Sequence, residues 1–165
     1  MIVLLLPVLM MAQRQVKTIQ TEVLVIGGGA GGTAAAIQSA RLGVKTVLVE
    51  PTNMLGGMLT AAGVSCTDGN DQLPSGIWEE FRQALYKHYS RKRLNTGWVS
   101  NTNFEPHVAD SIFKAWVAVE KNLTVIYQQI FKSVLKKGNK VTGAVFYTQP
   151  VSTSLRIHSS VVVDG

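Results

Sequence analysis

The sequence predicts an α/β fold in which a parallel sheet with helices carries an antiparallel β-meander. An apolar strand pattern over 23–26 leads through a glycine turn into an alanine-rich helix pattern over 33–42. A second apolar strand pattern follows at 45–49. Short strand patterns then surround the turn Gly138-Asn139 in the last third of the chain. A helix between strands is typical of a parallel sheet, whereas a tight turn joins antiparallel strands.

Two further helices are predicted between these parts. Pro74 opens the first, because proline is tolerated in a first helical turn. Ile77, Phe81 and Leu85 then form one apolar stripe at helical spacing. The second begins near Pro106. The stretches without clear periodicity, predicted as loops or short turns, are 51–71 and 94–105.

The last third of the chain reads as a strand, a meander and a return strand. Its strand patterns are 123–127, 131–135, 141–147, 155–157 and 161–163. We therefore expect antiparallel strands to be inserted before the chain returns to the parallel sheet.

The glycine turn after the first strand has the spacing of a dinucleotide-binding loop. In Gly27-x-Gly29-x-x-Gly32, the glycines permit a tight turn, close approach to a pyrophosphate and close packing of helix on strand. The following helix directs its unpaired N–H groups and positive dipole end at the phosphates. Glu50 ends the second strand, where a carboxylate accepts hydrogen bonds from ribose hydroxyls. The alternative is an ordinary βαβ turn that binds nothing.

Composition indicates one globular domain. The chain has 165 residues, of which 46% are hydrophobic and 16% charged. Its net charge of +6 comes largely from basic runs over 87–93 and 132–140, interpreted as a solvated helix end and a hairpin turn. No aromatic residues interleave with them in a nucleic-acid motif, so no nucleic-acid partner is expected. Cys66, the only cysteine, excludes an internal disulfide, and no metal site is predicted.

The first residues form a separate apolar run. Residues 1–12 are too few to span a bilayer as a helix, so no stable membrane span is expected. The run matches the apolar region of a secretory signal peptide, which predicts an exported or periplasmic protein, with a cytoplasmic one as the alternative. Residues 13–21 are predicted to be a polar linker and 22–165 the domain.

From Glu22 onward the sequence resembles the bacterial FAD-dependent oxidoreductases, within the flavoproteins that have two dinucleotide-binding domains. The resemblance is carried by the first glycine motif, by Glu50 and by the doublet Gly56-Gly57. Further similar segments are 55–63, 67–70, 73–78, 96–101 and 104–109. It implies a Rossmann-like FAD-binding domain of a flavin-dependent oxidoreductase with an unknown small-molecule substrate. An NAD(P)-binding dehydrogenase domain and a non-catalytic truncated remnant are the alternatives.

The resemblance also implies which residues bind the cofactor. Those matching the pyrophosphate loop are Gly27, Gly28, Gly29, Ala30, Gly31 and Gly32. Glu50 matches the ligand of the adenosine ribose, and Gly56 and Gly57 the doublet at which backbone approaches FAD. Met58 and Thr60 continue toward the flavin ring. Phe131 matches a position whose backbone contacts adenine in glucose-inhibited-division-type flavoproteins.

No catalytic acid or base is assigned by the pattern. Asp68 and His107 are the candidates for a substrate-side role, because they are ionisable residues in or near the unpatterned loops. Turn formation at Asp68 and a cap or loop hydrogen bond of His107 at a helix start are the competing interpretations. Members of the resembled family run to several hundred residues, and 160–165 is similar to the start of their next cofactor motif. We therefore expect a C-terminally truncated fragment, with a chain that supplies the missing C-terminal half as a candidate partner.

Overall fold

A computed structural model describes residues 16–69, 71–97, 100–148 and 153–165. The predicted signal peptide and the first residues of the predicted linker lie outside the described residues. The rest of that linker, 16–21, is not a linker but the first half of a strand. Its mostly polar side chains give no apolar strand pattern in the sequence. Val16 through Thr21 nevertheless pair with Ser154 through Ser159. This pairing satisfies the backbone whatever the side chains are.

The described residues form nine strands, three α-helices and one short 3-10 helix. In chain order they are β1 (Val16–Ile26), α1 (Ala30–Arg41), β2 (Thr46–Val49), the 3-10 helix (Gly57–Leu59), β3 (Cys66–Thr67), α2 (Gly76–His88), β4 (Asn95–Gly97), β5 (Ser100–Asn103), α3 (Pro106–Val119), β6 (Leu123–Ile126), β7 (Ile130–Lys137), β8 (Lys140–Tyr147) and β9 (Ser154–Asp164).

The main sheet has six strands in the order β6-β2-β1-β9-β8-β7. The first four are parallel, and β8 and β7 continue the sheet with antiparallel pairing. The predicted α/β fold with an antiparallel meander is therefore confirmed. The two strand patterns at 155–157 and 161–163 are one continuous strand, β9, because it pairs along its whole length with the long strand β1.

A second, smaller sheet occupies the segments predicted as loops. Its order is β3-β5-β4, and its strands are antiparallel. Their periodicity is weak because the buried side chains are polar: Ser100 and Thr102 are 3% and 1% exposed. Hydroxyls satisfy one another and the backbone here, as in the 2.9 Å bond from Thr102 Oγ1 to the Thr67 carbonyl.

The helices are short and close to their predicted positions. They have 12, 13 and 14 residues, and no helix in the described parts of the chain is long and apolar enough to cross a membrane. α1 starts at Ala30 rather than at the predicted Thr33, because Gly29 is its N-cap and the end of the glycine motif is its first turn. α2 begins at Gly76, two residues after Pro74.

Apolar side chains cover both faces of the main sheet. One cluster packs Val25 and Leu48 of the sheet against the helices, including Ile37 of α1 and Phe113 of α3. A second cluster on the other face joins Leu24, Val47 and Val49 to residues of β8 and β9. All four residues of β2 are buried as a result. The carboxyl ends of β1, β2 and β9 meet at one edge of the sheet, where loops of different origin come together.

Candidate cofactor site

The glycine motif lies at this edge and is closely packed at two of its positions. Gly27 has φ +97°, and a Cβ atom there would lie 2.4 Å from the Gly165 carbonyl oxygen. At Gly32, a Cβ atom would lie 2.1 Å from the carbonyl oxygen of Gly27 and 3.1 Å from Cα of Gly165. Only glycine fits, because real Cβ atoms do not approach backbone this closely. The first turn of α1 therefore rests directly on the ends of β1 and β9.

Gly28 is the residue at which the loop is held. Its N–H donates to Glu50 Oε2 at 2.7 Å. Its carbonyl oxygen accepts from the N–H of Gly56 at 2.7 Å and from Thr33 Oγ1 at 2.9 Å. Three separate parts of the chain thus hold the backbone of one residue, which gives the loop a defined shape before any ligand binds.

Glu50 is only 6% exposed, and its carboxylate accepts several hydrogen bonds. Besides Gly28, it accepts from the N–H of Thr52 at 2.8 Å and from Thr52 Oγ1 at 2.7 Å, both at Oε1. A carboxylate offers about four acceptor positions. The bonds to Gly28 and Thr52 leave room on Oε2 for one more donor, such as a hydroxyl group.

A second glycine turn closes against the first. Gly56 has φ +107°, and a Cβ atom there would lie 2.7 Å from the ring of Phe113 in α3. Gly57 has φ +55°, and its Cβ atom would lie 2.9 Å from Cα of Gly29. A β-bridge joins Gly29 to Gly56. The two predicted cofactor turns are therefore brought together by the fold.

Gly29 and Gly31 are glycines that the protein itself does not require. Neither has a positive φ. A Cβ atom at Gly29 would find its nearest protein atom at 3.6 Å, an ordinary contact, and one at Gly31 would meet nothing within 4 Å. No side chain caps the N-terminus of α1, and no acidic residue lies in its first turn. Small residues around unpaired N–H groups are what close approach of a phosphate requires, so the loop fits a dinucleotide.

The residues after the doublet differ in exposure. Met58 is 67% exposed in the 3-10 helix, while Thr60 is 3% exposed. The Thr60 hydroxyl lies 3.4 Å from the carbonyl oxygen of Gly57. Met58 is thus the more accessible side chain of the two, and Thr60 supports the turn from behind.

The segment that contains Phe131 lies against Glu50 through its backbone. The N–H groups of Gln128 and Gln129 donate to the carbonyl oxygens of Thr52 and Glu50, both at 3.2 Å. Gln128 has φ +58°, which is unusual for a residue other than glycine. The Phe131 side chain is 46% exposed and packs edge-on against Phe146 at 6.2 Å.

The two candidate catalytic residues are not drawn into the glycine loops by any contact. Asp68 is exposed directly after β3, and His107 is exposed in the first turn of α3. No hydrogen bond or ion pair of either side chain occurs in the described part of the chain. No group of three or more His, Cys, Asp or Glu side chains among the described residues is placed to hold a metal ion.

Clefts also lie between α2, the small sheet and the start of α3. One cleft there has a volume of about 370 Å³ and is lined by residues that include Tyr89, Arg91, Asn103 and Glu105. The Tyr89 hydroxyl donates to the Glu105 carboxylate. This hydrogen bond lowers the pKa of Glu105. Burial, followed by the same bond, raises the pKa of Tyr89.

Sequence reasoning missed four residues that shape the site. Thr33 and Thr52 hold Gly28 and Glu50, and a hydroxyl residue just after a glycine loop or a strand-end acid is a usable local signal. Gly165 forms the floor under Gly27 and Gly32. Asp110 of α3 accepts a hydrogen bond from the N–H of Leu55 at 2.9 Å, and nothing near it in the sequence indicates that contact.

The fold and the paired glycine turns define a dinucleotide-binding protein of the Rossmann-like class. The chain belongs to the FAD dependent oxidoreductase family, whose model matches residues 22–165. FAD is therefore the cofactor that family membership assigns, which decides between the two dinucleotides that the glycine motif alone left open.

Individual relatives are similar to most of this chain. Mitochondrial dihydrolipoyl dehydrogenase from Pisum sativum is 34% identical over 135 residues, which are 82% of this chain and 24% of the relative. Mitochondrial dihydrolipoyl dehydrogenase 2 from Arabidopsis thaliana is 32% identical over 147 residues, which are 87% of this chain and 26% of the relative. The chain thus spans about a quarter of the length of these relatives.

Solved structures share the fold at low sequence identity. A myxobacterial FAD-dependent halogenase aligns with a TM-score of 0.65 at 13% identity, over 89% of this chain and 37% of the halogenase. Adenylylsulfate reductase from Archaeoglobus fulgidus aligns with a TM-score of 0.64 at 17% identity, over 93% of this chain and 31% of the reductase. At these identities the likeness concerns the fold alone.

Proposed function

We propose that this chain binds FAD through its two glycine turns and acts as the FAD-binding portion of a flavin-dependent oxidoreductase. The observation that carries the proposal is the pair Gly29 and Gly31. Both are glycine without a conformational or packing reason within the protein, and both lie at the uncapped N-terminus of α1. FAD, when bound, supplies hydride or electron transfer, and the protein's part is to bind and orient it.

The pyrophosphate is assigned to the N-terminus of α1. The N–H groups of Ala30, Gly31 and Gly32 have no partners within the helix, because the first turn of any α-helix lacks them. They donate to phosphate oxygens, and the positive end of the helix dipole adds to the attraction. Gly27 and Gly28 shape the turn that leads into this helix.

The adenosine ribose is assigned to Glu50. Its carboxylate has one acceptor position left after the bonds to Gly28 and Thr52, and a ribose hydroxyl is a suitable donor. The backbone of the segment that ends at Phe131 lies beside Glu50, so this segment is proposed to border the adenine.

The remainder of the cofactor is assigned to the second turn. Gly56 and Gly57 bring backbone against Gly29, and Met58 is the exposed side chain that follows them. We place Met58 and Thr60 on the path toward the flavin ring. Asp68 and His107 are retained as proposed substrate-side residues, and the substrate is a small molecule of unspecified class.

Titration of the purified, folded chain with FAD tests the proposal. Flavin fluorescence and calorimetry should show saturable binding, with NAD as a weaker competitor. Gly29→Val should abolish FAD binding while the chain stays folded, because its first added carbon has room in the protein but occupies the space assigned to the pyrophosphate. Gln38→Val is the control, because it puts a valine on the exposed side of the same helix, away from the loop. A folded wild type that does not bind FAD would overturn the proposed function, and undiminished binding by Gly29→Val would overturn the assigned position.

A further inference from the structure

We infer that Asp110 of α3 is a positioning residue for FAD, which holds the Gly56-Gly57 turn in the place where it meets the cofactor. The inference deepens the proposed FAD site and rests on it. Asp110 lies far along the chain from both glycine turns, in a helix that the dinucleotide motif does not include.

Asp110 makes a direct connection to the second turn. Its Oδ1 accepts the N–H of Leu55 at 2.9 Å, in a bond between residues 55 positions apart. The Asp110 residue is 9% exposed, and Leu55 is fully buried. Burial of a carboxylate is unfavourable unless its hydrogen bonds compensate, so an apolar residue would serve simple packing better at this position.

The same helix contacts the turn a second time. Phe113, one helical turn after Asp110, lies so close to Gly56 that a Cβ atom there would be 2.7 Å from its ring. One polar and one apolar side chain of α3 thus fix consecutive residues, Leu55 and Gly56. Glycine has unusual conformational freedom, so contacts from α3 help to hold Gly56 in its one conformation, with φ +107°.

From Gly56 the constraint continues to the first turn. The N–H of Gly56 donates to the Gly28 carbonyl oxygen at 2.7 Å, and Gly57 packs on Cα of Gly29. Asp110 therefore sets the position of backbone that faces the proposed cofactor without itself reaching it. Its remaining oxygen, Oδ2, pairs with Lys114 at 2.7 Å.

This arrangement predicts a selective effect on binding. Asp110 supports the second turn directly. The first turn, by contrast, keeps its bonds from Gly28 to Glu50 and from Thr33 to Gly28 when Asp110 is changed, so the assigned sites of the ribose and the pyrophosphate retain most of their support. Loss of the hydrogen bond to Leu55 should therefore weaken the binding of FAD much more than the binding of ADP, because ADP lacks the part of the cofactor assigned to the second turn. General destabilisation of the domain would instead weaken the binding of both ligands in the same proportion.

The test measures FAD and ADP dissociation constants for four versions of the 165-residue chain. These are wild type, Asp110→Ala, Asp110→Asn and Lys114→Met. Asp110→Ala should bind FAD at least about tenfold more weakly and ADP within about threefold of wild type, since it leaves the Leu55 N–H buried without an acceptor. Asp110→Asn keeps an acceptor oxygen for Leu55. Lys114→Met removes the ion pair and the contact of the ammonium with the Tyr127 ring but leaves the Leu55 bond in place, so both variants should stay within about threefold of wild type for FAD.

The possible failures are separable. If folded wild type does not bind FAD, the proposed function is wrong. If wild type binds but Asp110→Ala binds FAD equally well, or loses FAD and ADP affinity in the same proportion, Asp110 does not position the turn. If Asp110→Asn is as weak as Asp110→Ala, the hydrogen bond to Leu55 is not the cause. Should Asp110→Ala not fold, Asp110→Ser is used for the same FAD-to-ADP ratio.

Discussion

The N–H of Gly28 donates a 2.7 Å hydrogen bond to Oε2 of Glu50, between the first glycine turn and the end of the second strand. The carboxylate assigned to the ribose therefore also shapes the loop assigned to the pyrophosphate. Because Glu50 accepts two more bonds from Thr52, its position is set before the cofactor binds. The proposed ribose contact and the shape of the loop thus depend on the same side chain, so a variant of Glu50 is expected to affect both.

Glu50→Gln should both weaken FAD binding and lower the stability of the free chain. One carboxylate oxygen becomes an amide NH₂, which cannot accept from Gly28 or Thr52, and an unsatisfied buried donor costs about 1–3 kcal/mol. Glu22→Gln is the matched control, because exposed Glu22 also accepts a backbone N–H, that of Lys45, at 3.0 Å. FAD titration and chemical unfolding measure the two effects. If the two variants had the same FAD affinity and the same stability, Glu50 would not be part of the cofactor site.

Gly32→Ala should destabilise the chain even in the absence of the cofactor. Its Cβ atom would lie 2.1 Å from the Gly27 carbonyl oxygen, so backbone must move, at a cost of about 1–3 kcal/mol. Gly31→Ala is the neighbouring control, since its Cβ atom meets nothing and alanine favours the helix by up to about 1 kcal/mol. Urea unfolding of the cofactor-free chains compares them, and a Gly32→Ala chain as stable as Gly31→Ala would contradict the packing of α1 on β1.

Thr33→Val should loosen the first turn by a smaller amount. Valine keeps the shape but loses the hydroxyl that donates to the Gly28 carbonyl oxygen at 2.9 Å. That oxygen still accepts from Gly56, so a loss of about 0.5–1.5 kcal/mol of stability is expected, together with weaker FAD binding. Thr33→Ser retains the hydroxyl and should bind FAD more tightly than Thr33→Val. The reverse order would show that the methyl group, not the hydrogen bond, is what matters.

Tyr89→Phe should raise the pKa of Glu105 back toward its ordinary value. The Tyr89 hydroxyl donates to the Glu105 carboxylate, and this bond is the main cause of its lowered pKa. Because the folded pKa lies below the unfolded one, the bond stabilises the fold above the ordinary carboxyl pKa and is lost as the pH falls through the lowered value. An NMR titration of the Glu105 side chain in both chains measures the change, and identical curves would exclude the bond.

The sheet could be predicted from the sequence wherever burial on both faces leaves a continuous apolar run, as in β2 and the second half of β1. The first half of β1 could not, because its strand state depends on pairing with β9 and not on its own polar side chains. The strands around Ser100 and Thr102 were missed for a related reason: hydroxyls fill that interior, so no alternation of apolar residues marks them.

The cofactor turns show the same division. Gly27, Gly29 and Gly32 could be proposed as cofactor residues because their spacing follows from local geometry, and Glu50 because it ends a recognisable strand. The bond from Leu55 to Asp110 depends on how α3 packs against the second turn, which no local pattern encodes. The hydroxyl of Thr33 directly follows the glycine loop, so its bond to Gly28 had a local signal in the sequence.

The pairing of β1 with β9 has a consequence for how the protein is made. Ile26 pairs with Asp164, and the next residue, Gly165, fills the space under the first glycine turn. Almost the whole described chain must therefore leave the ribosome before Gly165 can pack against Gly27 and Gly32 in the first glycine turn. Contacts this distant in sequence form late, because a long loop must close first. Capture of FAD is thus expected to follow synthesis of β9, and flavin uptake during translation would report when the domain closes.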